Sequence, residues 1–466
     1  MVDTTIPGVS AEIVTPDVAR PSGTAGRIAL VGIFERGDAD TPYFFDNPRD
    51  ALRVMGKSNS YPGSRMINYI FKQDDENNNY GASGLICVQA GARVKGLLQL
   101  KDASEAPVLL LTAKSGGLWA NGTTGGLTAT VAAGTVADKR LILKLGGVVV
   151  EDYDNCTNLE LKNKINALSQ FVTASATSAE LAKTLADVTD AAFASGTDTA
   201  SPTNDDTDSA LNSLLEENFD ILLFTNTPAD AYYPTIEAYL NTRLSNDKPC
   251  ISILPIDSTN TVSETIALIA TADNQLMSYI GQKFTIGTDE LTDAESAARY
   301  AGFVAGLSVN ESPTNKRITD IDAISPEFTS EEAYTLTDKG LTCFELKNRE
   351  TRKYGVISSV TGSQSVGDDG MKTNASELYA VRCLTYVLNY LNLDDWLGRV
   401  GISKTLNALE GELSNRKQEI IGAGIADELI VTPSIDSEDD KICNVDISVR
   451  PPGILKHIRK RIQLNL

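Results

Sequence analysis

Unbroken runs of apolar residues alternate with helical patterns along much of the chain. These runs predict strands covered on both faces at 28–33, 84–91, 218–226 and 248–257. Residues 227–246, between the last two runs, have the pattern of a helix. A strand–helix–strand unit of this length indicates a right-handed crossover between parallel strands. The pattern therefore predicts an α/β domain built on a parallel sheet.

Local signals mark where helices of this domain begin. Asn47 is placed to cap a helix whose first position is Pro48. Thr292 and Glu295 form a capping box ahead of a helix of small residues, which can pack close to a sheet. A further helix is predicted over Ser263–Tyr279.

Residues 93–200 differ in character from the segments on either side. Glycines separate short alternating segments there, and a helix is predicted at about 158–170. The stretch 194–209 is polar, which predicts a loop or linker. The predicted strands are LTATVAA, KRLILKLGG and VVVEDY. We interpret residues 93–200 as a β-rich unit inserted into the α/β domain.

The pattern changes again after residue 340. A hairpin is predicted over 341–362, followed by helices over 375–392 and 402–421. Two strands joined by an acidic turn come next. In the second of these strands, polar residues separate the apolar residues Val445, Ile447 and Val449. We interpret this strand as one that accepts a further strand.

The first 24 residues predict an extended arm. Pro7, Pro16 and Pro21 exclude a helix, and apolar and polar residues alternate between the first two prolines. The apolar positions of this arm are Ile6, Val9, Ala11 and Ile13.

Residues 450–466 predict a second arm of opposite charge to the rest of the chain. They carry five Lys and Arg residues and no Asp or Glu, although the chain has a formal net charge of −21. Five of its apolar positions share one parity: Ile454, Ile458, Ile462, Leu464 and Leu466. Arg459 and Arg461 lie on the other parity, and this period of two is typical of a strand. Because a Pro-Pro-Gly sequence precedes it, the arm is either a strand of its own subunit or one added to a neighbour's sheet.

Composition argues against several classes of protein. The acidic excess opposes non-specific binding to nucleic acid, and no run of 18 apolar residues indicates a membrane span. The N-terminal sequence lacks a signal-peptide pattern, and the six cysteines are scattered without a CxxC pair. We therefore expect a chain made in a cytosol, with reduced cysteines, that neither inserts into membranes nor binds nucleic acid directly.

Candidate chemistry is sparse. His457 is the only histidine and lies in the basic arm, which disfavours a serine-protease triad. ALRVMGKS at 51–58 resembles the end of a phosphate-binding loop, but it has helix formers where that loop needs glycines. SIDSEDD at 434–440 lacks the spacing of a calcium loop and is interpreted as a hairpin tip. We expect no catalytic residue, cofactor or metal ion.

Several segments, in their order along the chain, resemble the contractile tail sheath family of phage tails, R-type bacteriocins and related injection machines. They are IPGVSAEIV, GRIALVGIFERGDADTPYFF with NPRDALRVMG, DDWLGRVGISKTLNALEGELSNRKQEIIGAGI, and ISVRPPGILKHIRKRIQLNL. The resemblance spans the chain and is strongest to sheath proteins of phage-like elements in Gram-positive bacteria. It implies an α/β multidomain protein with a subtilisin-like middle domain, a β-rich insertion, and an α+β C-terminal domain carrying extended terminal arms.

The resemblance and the patterns together predict five parts. These are an N-terminal arm (1–24), a discontinuous α/β sheath domain (25–92 and 201–340), an inserted outer domain (93–200), an inner C-terminal domain (341–449) and a C-terminal strand arm (450–466).

The resemblance also implies a structural role without enzymatic activity. Copies would stack as hexameric rings around an inner tail tube, with baseplate and tail terminator proteins as further partners. Both arms would join strands of neighbouring C-terminal domains, and contraction would drive the tube through a target cell envelope. The particle, a phage tail or a bacteriocin-like relative, would assemble in the bacterial cytoplasm. Two alternatives stay open: another self-assembling structural protein, and an α/β hydrolase.

Overall fold

The computed structural model describes residues 26–74, 79, 81–136, 138–198, 201–348, 353–367, 372–393, 402–435 and 443–453. The first part of the chain supplies strands and helices to one large sheet. They are β1 (Arg27–Gly32), β2 (Pro42–Phe45), α1 (Pro48–Met55), α2 (Pro62–Ile70) and β3 (Gly84–Gln89). The Asp50 N–H donates to the side-chain oxygen of Asn47, and Pro48 lies in the first turn, so the predicted start of α1 is confirmed.

The next part is rich in antiparallel strands. Its elements are β4 (Lys95–Lys101), β5 (Pro107–Gly116), β6 (Leu127–Ala133), β7 (Lys139–Leu145), β8 (Val148–Cys156), α3 (Asn158–Leu168), β9 (Val172–Ser175), α4 (Ser178–Leu181) and β10 (Val188–Ala192). They form one sheet in the order β4-β5-β9 and another in the order β10-β6-β7-β8. The two sheets and α3 enclose a hydrophobic core of their own, around Leu111, Leu141 and Ile165.

The chain then returns to the large sheet and ends in a small helical unit. The returning elements are α5 (Asn204–Asn212), β11 (Ile221–Phe224), α6 (Tyr233–Ser245), β12 (Ile251–Pro255), α7 (Val262–Ile269), β13 (Met277–Ile280), β14 (Lys283–Ile286), β15 (Asp289–Glu290), α8 (Asp293–Gly306), β16 (Ala323–Ser325), α9 (Ser330–Asp338), β17 (Leu341–Asn348) and β18 (Lys353–Ser358). The last elements are α10 (Leu378–Tyr390), α11 (Ile402–Gly422), β19 (Glu428–Ile435) and β20 (Cys443–Arg450).

The large sheet has the strand order β18-β17-β13-β12-β11-β1-β3-β2. Its inner strands, from β17 to β3, pair in parallel, while β18 and β2 add antiparallel edges. Counted along the chain, the parallel strands follow the order 2-1-3-4-5-6, which is that of a doubly wound sheet. Every residue of β3 is buried, as its unbroken apolar run predicts. The predicted mixed α/β architecture is therefore confirmed.

Helix α8 lies in the centre of this domain and is buried from Ala294 to Ala305. Its predicted capping box, Thr292 with Glu295, is present. Small residues let the helix approach its neighbours closely: a Cβ added at Gly302 would lie 2.4 Å from the carbonyl oxygen of Ile70 at the end of α2. Among the described helices, none is both long enough and apolar enough to cross a lipid bilayer.

Two sequence predictions in this domain are wrong. The stretch 194–209 is not wholly a loop, because α5 begins at Asn204 behind a capping box and buries Leu211. The helix predicted over Ser263–Tyr279 ends at Ile269, and its last residues form β13. The polar run TADNQ at 271–275 separates the helix from the strand, and the prediction ran the helix through it.

The hairpin predicted over 341–362 forms as the antiparallel pair β17 and β18. Its place in the fold differs from the prediction, which grouped it with the C-terminal helices. Strand β17 pairs in parallel with β13, with Tyr279 opposite Leu341. The hairpin thus extends the large sheet, because pairing between distant strands leaves no mark on local periodicity.

Candidate assembly site

Strands β19 and β20 form a two-stranded antiparallel sheet outside the large one. The acidic segment between them lies outside the described residues. On one face of the sheet, each apolar residue of β19 lies opposite an apolar residue of β20. These pairs are Leu429 with Val449, Val431 with Ile447, and Pro433 with Val445. The predicted alternation of β20 is therefore present.

This apolar face rests on a small hydrophobic core formed with α10 and α11. Leu429 is 0% exposed, and the core around it includes Leu413 and Ile420 of α11 and Val387 of α10. Val445, Ile447 and Val449 are only partly buried against the same core. The β20 side of the hairpin is thus the less covered side.

The other face of the hairpin is exposed, and its outer edges are unpaired within the described residues. Ile430 on this face is 47% exposed, and the neighbouring positions of β20 are polar. Within the described chain, each of the two strands has a hydrogen-bonded neighbour on one side only. Such an edge is a template for pairing with another strand. The outer edge of β20 contains no proline, whereas β19 contains Pro433, which cannot donate a backbone hydrogen bond.

The structure places one of the three predicted groups of site residues. Val445, Ile447 and Val449 lie together on β20. The predicted N-terminal arm lies outside the described residues; its members are Ile6, Val9, Ala11 and Ile13. The predicted C-terminal arm also lies outside them; its members are Ile454, Ile458, Arg459, Arg461, Ile462, Leu464 and Leu466.

Sequence reasoning missed a contact that holds the chain where β20 ends. Tyr379 of α10 is 5% exposed, and its hydroxyl donates a hydrogen bond to the carbonyl oxygen of Pro452. The Asp427 N–H donates to the carbonyl oxygen of Arg450 at 2.9 Å. The signal that could have revealed this contact is a tyrosine on a helix that is apolar on nearly all sides.

The large sheet offers little room where doubly wound sheets bind ligands. Such ligands bind beyond the carboxyl ends of the strands, where the strand order reverses. In this chain that position lies between β1 and β11, and Thr225 fills it: its hydroxyl oxygen accepts a hydrogen bond from the Ile33 N–H at 2.9 Å. Gly32 lies so close that a Cβ there would be 1.9 Å from the same oxygen. Thr225 therefore occupies the space that a ligand would need.

The remaining candidates from the sequence are a phosphate-binding loop, a catalytic histidine and a metal site. Residues 51–55 of the segment that resembles a phosphate-binding loop form the end of α1, where backbone N–H groups serve the helix. His457 lies outside the described residues. Within the described chain, no group of three or more His, Cys, Asp or Glu side chains is arranged to hold a metal ion.

The architecture combines a doubly wound domain, an inserted β unit and a hairpin whose outer edges are unpaired within the described chain. Residues 200–359 match the family described as phage tail sheath protein central domain. The resemblance to the contractile tail sheath family is thereby confirmed over residues 200–359. This is a family of structural proteins and not of enzymes, so the hydrolase alternative is wrong.

Solved structures share the fold over nearly the whole chain. A sheath tail protein from Listeria innocua is 17% identical, with a TM-score of 0.72 over 92% of each chain. A sheath tail protein from Desulfitobacterium hafniense is also 17% identical, with a TM-score of 0.66 over 96% of this chain and 100% of that one. The contracted helical sheath of the anti-feeding prophage is 12% identical, with a TM-score of 0.52 over 99% and 100% of the two chains. Among curated protein sequences, none matches this chain.

Proposed function

We propose that this chain is the repeating subunit of a contractile tail sheath, which assembles as stacked hexameric rings around an inner tube. Contraction of the sheath would drive the tube through a target cell envelope. The observation that carries the proposal is the β19–β20 hairpin, whose edges are open in a chain with a sheath central domain. A phage tail or tail-like particle assembled in the bacterial cytoplasm is part of the same proposal, as is a subtilisin-like topology for the large sheet.

The hairpin has a physical reason to take up strands from other copies. A two-stranded sheet is marginally stable by itself, and three or more strands with a shared apolar face are stable. The partly buried face of Val445, Ile447 and Val449 would be covered by a strand whose apolar residues also recur at every second position. Both terminal arms have this pattern, so we propose that they join the hairpins of neighbouring subunits.

Charge favours the same pairing. The arm of residues 450–466 is basic, whereas the sequence between β19 and β20 contains Asp436, Glu438, Asp439 and Asp440. Exposed ion pairs contribute little each, so backbone hydrogen bonds and apolar contacts would supply most of the affinity. The charges would mainly favour an arm from another copy over unrelated strands.

Helix α11 is the element that we expect to contact the inner tube. Both long C-terminal helices are candidates from the sequence, but α10 is buried from Leu378 to Val387, except for a partly exposed Leu384. Helix α11 exposes a polar side that includes Asn407, Asn415 and Gln418. We therefore propose α11 as the surface that faces the tube, with baseplate and terminator proteins meeting the ends of the stack.

The first experiment compares the full chain with a chain truncated after Gly453. Electron microscopy of the full chain is expected to show sheath-like tubes, and the truncated chain is expected to stay monomeric with unchanged circular dichroism. The truncation keeps every described residue, so a loss of assembly reports on the arm and not on the fold. Equal assembly of the two chains would contradict the proposal.

The second experiment asks whether the arm reaches another copy. Cys443 on β20 is exposed, and the other five cysteines are buried. Wild-type chain is mixed with a Cys443→Ser chain that carries Arg459→Cys in its arm, and the mixture is assembled and oxidised. A disulfide-linked dimer of the two chains is expected, because neither chain has both partners. A third variant carries Arg459→Cys and keeps Cys443, so it has both partners in one chain. If this variant forms only disulfides within one chain, the arm folds back onto its own subunit and the proposal is contradicted.

A further inference from the structure

Both arms join the described chain at points fixed by buried side chains. At the C-terminal end, the hydrogen bond from Tyr379 to the Pro452 carbonyl holds the segment after β20 against α10. Gly453 follows at once; it is exposed, and a Cβ added there would meet no atom within 4 Å. The last point at which the described chain is held by a side chain is therefore Pro452, beyond the end of β20.

The N-terminal arm meets the chain at an equally fixed point. The Arg27 N–H donates to the Asp220 carboxylate at 3.0 Å, and the Gly26 N–H donates to the same carboxylate. The Ser83 N–H donates to the carbonyl oxygen of Gly26 at 2.9 Å. Gly26 has a φ of +86°, and a Cβ there would lie 2.6 Å from the carbonyl oxygen of Ala305. The backbone at this root is thus specified closely.

Helix α10 connects the two roots. Arg382 lies one helical turn after Tyr379, is 7% exposed, and donates to the carbonyl oxygen of Leu307 at 3.1 Å. Its positive charge acts on the Asp220 carboxylate that holds the N-terminal root. Gly26, Asp220 and Arg382 line one small cavity together. A single buried helix therefore contacts the root of the C-terminal arm directly and lies across a small shared cavity from Gly26 and Asp220 at the root of the N-terminal arm.

We propose that α10 is a shared anchor for both arms, with Tyr379 and Arg382 as positioning residues that set where each arm leaves the subunit. This inference rests on the proposed exchange of arms between copies. A strand added to a sheet must arrive in register, since a slip of one residue turns its apolar side to solvent. If the root is loosely held, the effective concentration of the arm at its acceptor strand falls. The arm can then also pair with that strand in several registers.

The test compares Tyr379→Phe with Tyr386→Phe on the same helix. Tyr386 lines the same cavity, but its hydroxyl has no hydrogen-bond partner within the described chain. Loss of the Tyr379 hydrogen bond is expected to raise the critical concentration for assembly about two- to tenfold, while Tyr386→Phe leaves it unchanged. Single cysteines placed along the arm can also be tested for disulfide formation with Cys443. In Tyr379→Phe, more of these positions are expected to form the disulfide than in the chain that keeps Tyr379. Equal behaviour of the two variants would overturn the anchor.

A double-mutant cycle tests whether the anchor is shared. Tyr379→Phe and Asp220→Asn are measured singly and together in the assembly assay, and the combined effect is expected to differ from the product of the single effects. Strict independence would overturn the coupling through α10. Failure of arm exchange itself is recognised separately, because the chain truncated after Gly453 would then assemble like the full chain.

Discussion

The hydrophobic core beneath the β19–β20 hairpin is separate from that of the large sheet, so we expect the hairpin to unfold locally while the large sheet stays folded. Leu429 is 0% exposed and belongs to the core shared by α10, α11 and the hairpin, which is separate from the core of the large sheet. Leu429→Ala removes buried methyl groups and leaves a cavity, at a cost of about 2–5 kcal/mol. Ile430, the next residue on the same strand, is 47% exposed, so Ile430→Ala is the matched control. We expect the control to cost less than about 1 kcal/mol.

Amide hydrogen exchange measures this difference segment by segment. Leu429→Ala is expected to speed exchange in β19 and β20 by a factor corresponding to about 2–5 kcal/mol, while exchange in β1 and β3 changes little. The same variant is expected to weaken assembly, because the acceptor strand is then open for a larger fraction of the time. Equal acceleration in β1 and β3, or an equal effect of Ile430→Ala, would refute the separation of the cores.

Three further variants test contacts in the large domain. Burial raises the pKa of Asp220 to about 7 from 3.8, so its folded state holds a proton that the unfolded chain releases. Stability should therefore fall as pH rises from about 4 to 7, by up to about 4 kcal/mol, and urea unfolding of Asp220→Asn should lack this slope. Arg299 is 0% exposed and pairs with Asp320 at 2.9 Å, so Arg299→Met should lose about 3–5 kcal/mol in urea unfolding. Gly26→Ala should lower the melting temperature, because of its positive φ and the nearby Ala305 carbonyl.

Each of these expectations has an outcome that contradicts it. Parallel pH profiles for the wild type and Asp220→Asn would show that the carboxyl does not hold its proton in the folded chain. For the ion pair, the control is Arg299→Met combined with Asp320→Leu, which should recover part of the loss because the Asp320 carboxylate is no longer left without Arg299. A Gly26→Ala chain that melts like the wild type would show that the root of the N-terminal arm relaxes freely.

The sequence predicted those elements whose signals are local. Strands β1 and β3 followed from unbroken apolar runs, and α1 and α8 from caps at Asn47 and Thr292. It failed at α5, where a polar composition concealed a capping box with aspartate in place of glutamate. It also misplaced β17 and β18, because the pairing of β17 with β13 joins segments that are far apart in the sequence. Helix caps and apolar runs can be recognised within one segment, whereas the sheet to which a strand belongs depends on its pairing with a second, distant segment.

In the candidate assembly site, too, local patterns were predicted from the sequence and contacts between separate elements were not. The alternation of Val445, Ile447 and Val449 was readable, because a strand with one covered face imposes a period of two. Its neighbours across the hairpin and beneath it, including Leu429, were not named, since they depend on packing between separate elements. The arms were predicted from periodicity and charge, and the acceptor that we propose for them belongs to another copy of the chain.

Helix α10 suggests how such packing leaves a trace in sequence. Its pattern LYAVRCLTYVLNY is apolar on almost every side, which predicts burial all round. Most buried polar side chains find a partner, and Tyr379 and Arg382 do so where other segments of the chain come against the helix, whereas the Tyr386 hydroxyl has none within the described chain. Both partners in the structure are backbone carbonyl oxygens, of Pro452 and Leu307, outside the helix. Isolated polar residues on an otherwise apolar helix therefore indicate where separate parts of a subunit are joined, and here one of them lies at the root of an arm.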